Sequence, residues 1–113
     1  MSGKHLIVLL LLLQSGGIAC ARKTIYDWGS YNPAVYRFYN SEPPYDVSED
    51  IELLGTEIEK TPVGRVPPGK AAHLGMLYSM KGENARAKEY LSLEKKMFPE
   101  SAALMNRLIL KLK

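Results

Sequence analysis

Cysteine occurs once in this 113-residue chain, at Cys20, and histidine only at His5 and His73. A single thiol excludes an intrachain disulfide and any zinc site built on several cysteines. His73 has no second histidine or cysteine within the body of the chain to complete a metal set, so it reads as an ordinary helix histidine. There is no glycine-rich phosphate loop, no His-Glu-x-x-His pair and no serine-nucleophile elbow. The expectation is a non-enzymatic chain with no catalytic residues, no cofactor and no metal. Charge of one sign is also scarce: the net charge is +3, and without a basic stripe it does not point to nucleic acid as a partner. The longest apolar run, Leu6 to Leu13, is far short of the roughly 18–20 residues that cross a bilayer. What remains is 46% hydrophobic and 24% charged residues, ordinary globular composition for one small domain.

The N-terminus carries an address. Lys4 and His5 precede the apolar run, and Gln14-Ser15-Gly16-Gly17-Ile18-Ala19-Cys20 follows it, the parts of an export signal in order. Gly17-Ile18-Ala19-Cys20 resembles a bacterial lipobox, with Ile18 and Ala19 fitting the pattern and Gly17 standing where leucine is usual. On that reading residues 1–19 are a lipoprotein signal peptide, cleavage falls between Ala19 and Cys20, and Cys20 is acylated. The alternative is a buried cysteine behind an ordinarily cleaved signal. Each buried methylene contributes about 0.8 kcal/mol, and more than one chain makes anchoring stable. Residues 20–24 then form a lipid-anchored tether. Ala21, in place of the aspartate that marks inner-membrane retention in diderm bacteria, resembles the outer-membrane class. The expected location is the periplasmic face of a bacterial outer membrane.

The fold class expected for residues 25–113 is all-α. Seven of the ten aromatic residues lie between Tyr26 and Tyr45. Asn32 before Pro33 reads as a helix start, giving a helix over about 33–40 with Val35, Tyr36 and Tyr39 on one side. Pro43 and Pro44 forbid its continuation. A second helix is expected over about 48–60, with Ile51, Leu54 and Ile58 as the buried face and Glu49, Asp50 and Glu52 as a solvated acidic first turn. Residues 61–69 read as a stiff linker. Over residues 68–101, Leu74, Gly75, Tyr78, Ala87 and Pro99 stand at the separations of a tetratricopeptide-like helical hairpin. Ala71 departs from the repeat where tryptophan is favoured, and Glu94 where alanine is favoured. Gly82 ends the first helix of the hairpin and Asn84 helps to start the second. A capping helix follows over 101–113, with Leu104, Leu108 and Leu112 in register.

One repeat unit cannot bury its own faces. The capping helix is expected to cover one side and the aromatic N-terminal helical segment the other, with Trp28 as a buried anchor. Asp27 either hydrogen-bonds a ligand hydroxyl or caps the turn before Gly29. Residues 20–60 carry four Lys/Arg against eight Asp/Glu, and residues 61–113 ten against four; this polarity orients the halves, steers an acidic partner or belongs to solvated helix faces.

Three segments carry a family resemblance: Tyr26-Asp27-Trp28-Gly29-Ser30-Tyr31, then Pro67-Pro68-Gly69-Lys70-Ala71-Ala72-His73-Leu74-Gly75-Met76-Leu77-Tyr78, then Glu94-Lys95-Lys96-Met97-Phe98-Pro99-Glu100-Ser101. The chain resembles a family of small bacterial lipoproteins of uncharacterised function, often encoded beside a lipoprotein similar to the curli secretion channel. The resemblance implies a periplasm-facing lipoprotein without enzyme activity. The expected function is an accessory or adaptor lipoprotein in an envelope assembly. Its partners are the membrane, through the lipid on Cys20, and another envelope lipoprotein or channel-like protein. The alternative is a binder of cell-wall glycan or peptide through the Tyr26–Tyr45 aromatics. Tyr26, Trp28, Tyr31 and Tyr36 are the candidate interaction residues.

Overall fold

A computed structural model describes residues 24–113. The expected signal peptide, the Ala19–Cys20 cleavage and acylation site and the tether up to Lys23 lie outside the described residues. Five α-helices and two short 3-10 turns make up the described part: α1 (Tyr31–Asn40), α2 (Ser48–Lys60), the turn Val63–Arg65, α3 (Lys70–Met80), α4 (Asn84–Met97), the turn Pro99–Ser101 and α5 (Ala102–Leu110). Among the described residues there is no strand and no helix long and apolar enough to cross a membrane. The all-α expectation holds.

The hairpin of α3 and α4 is the centre of the molecule. Leu74 and Leu77 of α3 and Leu91 of α4 are buried, and a fully buried leucine contributes about 1.5–3 kcal/mol. Gly75 is where the two helices touch: a Cβ there would stand 2.9 Å from Leu91 Cγ and 3.1 Å from the Ala87 carbonyl oxygen. Tyr78 lies across the hairpin, stacked on Tyr90 at 5.5 Å between ring centres. Gly82, at φ +76°, takes the left-handed conformation that closes α3, with Glu83 N–H donating to the Tyr78 carbonyl and Gly82 N–H to Ser79. Asn84 does not start α4 with its side chain. The Ncap is Glu83, and Asn84 Nδ2 donates to the Lys113 carbonyl.

Helix α2 spans 48–60 as expected, burying Leu54 and Ile58. Two other helices differ from the sequence reading. Helix α1 begins at Tyr31 behind Ser30, so Asn32 and Pro33 sit inside its first turn. Its inward residue is Ala34, with Tyr31 and Phe38 packed on the core, while Tyr36 and Tyr39 face outward. Tyr31, Ala34 and Phe38, spaced three and four apart, form one stripe along the helix, and Tyr36 and Tyr39 fall outside it. In α5 the buried residue is Met105, and Leu104 is exposed. Leu108 and Leu112 keep the expected side, both partly covered, so only the first position of the stripe differs. The 61–69 stretch is more than a linker, since Val66 and Pro67 are buried.

The direction of each helix follows from its ties. Ser30 meets Glu57 near the end of α2, and Arg37 meets Asp50 near its start, so α1 and α2 are antiparallel. Residues 25–30, 60–69 and 97–101 gather at one end, the base. The loop 41–47, the hairpin turn and the end of α5 lie at the other, where Lys81 Nζ donates to Ser48 Oγ at 2.9 Å.

Candidate functional site

An unbroken row of rings runs from the base along α1. Phe98 meets Tyr26 at 6.3 Å and Tyr26 meets Trp28 at 6.2 Å, both edge-on. Trp28 stacks on Tyr31 at 6.0 Å. Tyr31 and Phe38 both turn to His73, at 6.0 and 5.5 Å, and Phe38 meets Tyr39 at 5.0 Å. Three of the four candidate residues, Tyr26, Trp28 and Tyr31, are therefore together. Tyr36 is not with them; it projects outward, 69% exposed.

Trp28 is not the buried anchor expected from the sequence. The residue is 36% exposed: Gly29 turns the chain (φ +47°) and the indole lies on Tyr31. The anchor is polar. Lys70, buried at the start of α3, donates through Nζ to Glu57 Oε2 at 2.7 Å and reaches the Trp28 carbonyl at 3.5 Å. The same carboxylate accepts the Ser30 N–H at 3.1 Å. Burial alone would raise the Glu57 carboxyl, but Lys70 and Ser30 outweigh it and hold it below its ordinary range. Asp27 neither caps its own turn nor stands free for a ligand. It pairs with Arg65 through two bonds of 3.0 and 2.5 Å, and its N–H donates to the Arg65 carbonyl at 2.8 Å.

Two buried acids were not legible as such. Asp50, expected in a solvated turn, is buried and bonded to Arg37 and Tyr45. Burial pushes its carboxyl up, and these two partners pull it below the usual carboxylate range. Glu94, also buried, accepts the Gly69 N–H at 2.7 Å and the Ala72 N–H at 3.2 Å. The signal for Glu94 was its departure from the repeat pattern; nothing in the spacing of Lys70 or Asp50 marks them. His73 is buried between Tyr31 and Phe38 with Nε2 lacking a hydrogen-bond partner. Burial lowers its pKa, and the charge of Asp50 offsets part of the effect.

Chemically, these acids are occupied in holding the fold, each saturated by a cation, a hydroxyl or backbone N–H groups. Among the described residues no three His, Cys, Asp or Glu side chains converge as a metal-binding group. The open feature lies at the other end. A groove of about 370 Å³ runs between the α3–α4 hairpin and α5, lined by Met76, Leu91, Leu108 and Leu112, with Asn84 and Lys111 at its margin.

Fold and site define a small all-α domain, a single helical hairpin closed on one side by a capping helix and on the other by an aromatic segment pinned through ion pairs. Residues 25–108 match the family described as Domain of unknown function (DUF4810), and the chain belongs to that family. Comparisons with curated proteins and with solved structures returned no match.

Proposed function

We propose that this protein is a lipid-anchored adaptor of the bacterial outer membrane, facing the periplasm, that binds another envelope protein through the hairpin groove. The groove itself carries the reading. A hairpin unit normally continues into further helices; here α5 covers only part of that side and leaves an apolar trough with a lysine at its rim. Such a trough suits an amphipathic helix or extended segment of a partner. The anchor is the acylated Cys20, supported by the signal-like segment before it. A photo-crosslinker at Leu108 in intact envelopes is expected to capture one discrete partner, with no such product from the same group at exposed Lys88. Cys20→Ser is expected to remove acyl labelling and the crosslink together. Equal labelling from both positions would refute the groove.

The exposed ring of Trp28 favours a second reading, a binder of cell-wall glycan or peptide through the Tyr26–Tyr45 aromatics. It predicts that Trp28→Ala abolishes retention on sacculi with little change in stability.

A further inference from the structure

The chain leaves the folded body at its base, and the base exposes apolar side chains. Ile25 is 76% exposed and Val63 66%, and Trp28 is 36% exposed. The backbone bond from Asp27 to Arg65 brings the segment carrying Ile25 and Trp28 alongside the turn carrying Val63. Pro62, Pro68 and Pro99, all exposed, belong to the same end.

We infer that this base, formed by Ile25, Trp28, Val63 and the three prolines, rests on the headgroup layer of the bilayer that holds the anchor. The inference depends on acylation of Cys20, proposed above. Ile25 stands five positions after Cys20, a reach of at most about 18 Å when fully extended. The headgroup layer takes up roughly 5–8 Å of that on one side of a bilayer, so Ile25 stays within about 10–13 Å of the membrane surface whatever path the tether follows. A partly exposed tryptophan beside tyrosines, at an end that also exposes Ile25 and Val63, is the composition that partitions into that layer. Charge does not oppose the contact. Asp27 is paired with Arg65, Lys60 and Lys96 accompany Glu59 and Glu100 at this end, and Arg22 and Lys23 add positive charge immediately before it. The orientation leaves the outer end of the groove, at Asn84 and Lys111, directed away from the membrane.

Trp28 is the single tryptophan of the chain, so its emission reports the base alone. The full-length acylated protein is to be reconstituted into phosphatidylethanolamine–phosphatidylglycerol vesicles, plain or with bromine on the acyl chains near the headgroups. The expected result is loss of Trp28 emission in the brominated vesicles and protection from aqueous iodide in the plain ones. Ile25→Asp with Val63→Asp, both at exposed positions, is expected to restore iodide access while circular dichroism stays unchanged. Protein that floats with the vesicles but shows unquenched, iodide-accessible Trp28 overturns this inference and leaves the anchor standing. Protein that carries no acyl group and does not float overturns both.

Discussion

Replacing Glu94 by alanine restores the residue that the hairpin repeat favours at this position, and a repeat-based argument expects the change to stabilise. The structure predicts the opposite sign. Helix α3 starts from Gly69, which has no side chain to cap it, and its Ncap lacks any side-chain bond. In a capping box one side chain serves the N3 amide and another the Ncap amide. Here both bonds come from one carboxylate on the neighbouring helix, since Glu94 accepts from Gly69 at 2.7 Å and from Ala72, the N3 residue, at 3.2 Å. Gly69 itself cannot acquire a side chain: its φ is +94°, and a Cβ would stand 2.5 Å from the Tyr31 hydroxyl. The cap must therefore come from elsewhere.

Losing a helix cap costs about 0.5–2 kcal/mol, and each buried amide left without a partner about 1–3 kcal/mol. Alanine returns no more than about 0.7 kcal/mol of helix propensity. Water entering the vacated space relieves part of the loss, giving a net destabilisation of about 2–4 kcal/mol. For a domain of this size each 1 kcal/mol lowers Tm by about 4–8 °C, so Glu94→Ala is expected to melt roughly 10–30 °C below the parent in a circular dichroism scan. Glu94→Gln, which retains one acceptor oxygen, is expected to fall between them. An alanine variant that melts at or above the parent temperature refutes the long-range cap.

Two further outcomes are expected. Gly75→Leu forces a side chain into the 2.9 Å approach of Leu91 and should cost about 1–3 kcal/mol in urea titrations, whereas exposed Lys88→Ala should stay within about 0.5 kcal/mol. Acid should destabilise in two stages: His73, depressed by burial, loses its contribution as pH falls below its ordinary 6.5, and Asp50 and Glu57, both depressed, lose theirs below about 4; His73→Leu should erase only the first stage.

The hairpin was legible because its signals are local and steric. Gly75, Ala87 and Gly82 act through size and φ, and those requirements are written in residue type. The register of α1 was not legible, because Tyr31, Ala34 and Phe38 form as good a helical stripe as Val35, Tyr36 and Tyr39. In α5 only the first position was missed, where Met105 and not Leu104 is buried. The buried ions were hidden for a related reason. Lys70, Glu57, Asp50 and Glu94 have the composition of surface residues, and, Tyr45 aside, their partners lie 13 to 42 positions away in sequence. Sequence spacing within one helix cannot show that. The anchor of the aromatic segment was therefore assigned to the indole of Trp28, when the carbonyl of the same residue faces Lys70.

These pairs explain why a lone hairpin with an added helix has one arrangement and not several. An apolar seam alone would let α1 slide along α2 and α3 at little cost, since Ala34, Phe38 and Tyr31 present a short and uneven stripe. Arg37 on Asp50 and Ser30 on Glu57 fix both ends of α1. A shift by one turn, about 5.4 Å, would take Arg37 from the buried Asp50 and the Ser30 N–H from Glu57, leaving Asp50 with Tyr45 alone and Glu57 with Lys70 alone. The register so fixed also sets where the chain emerges, because Ser30, Trp28 and Asp27 are held at the base by Glu57, Lys70 and Arg65. On the anchored reading, the polar pins therefore determine which end of the bundle meets the bilayer and which way the groove faces.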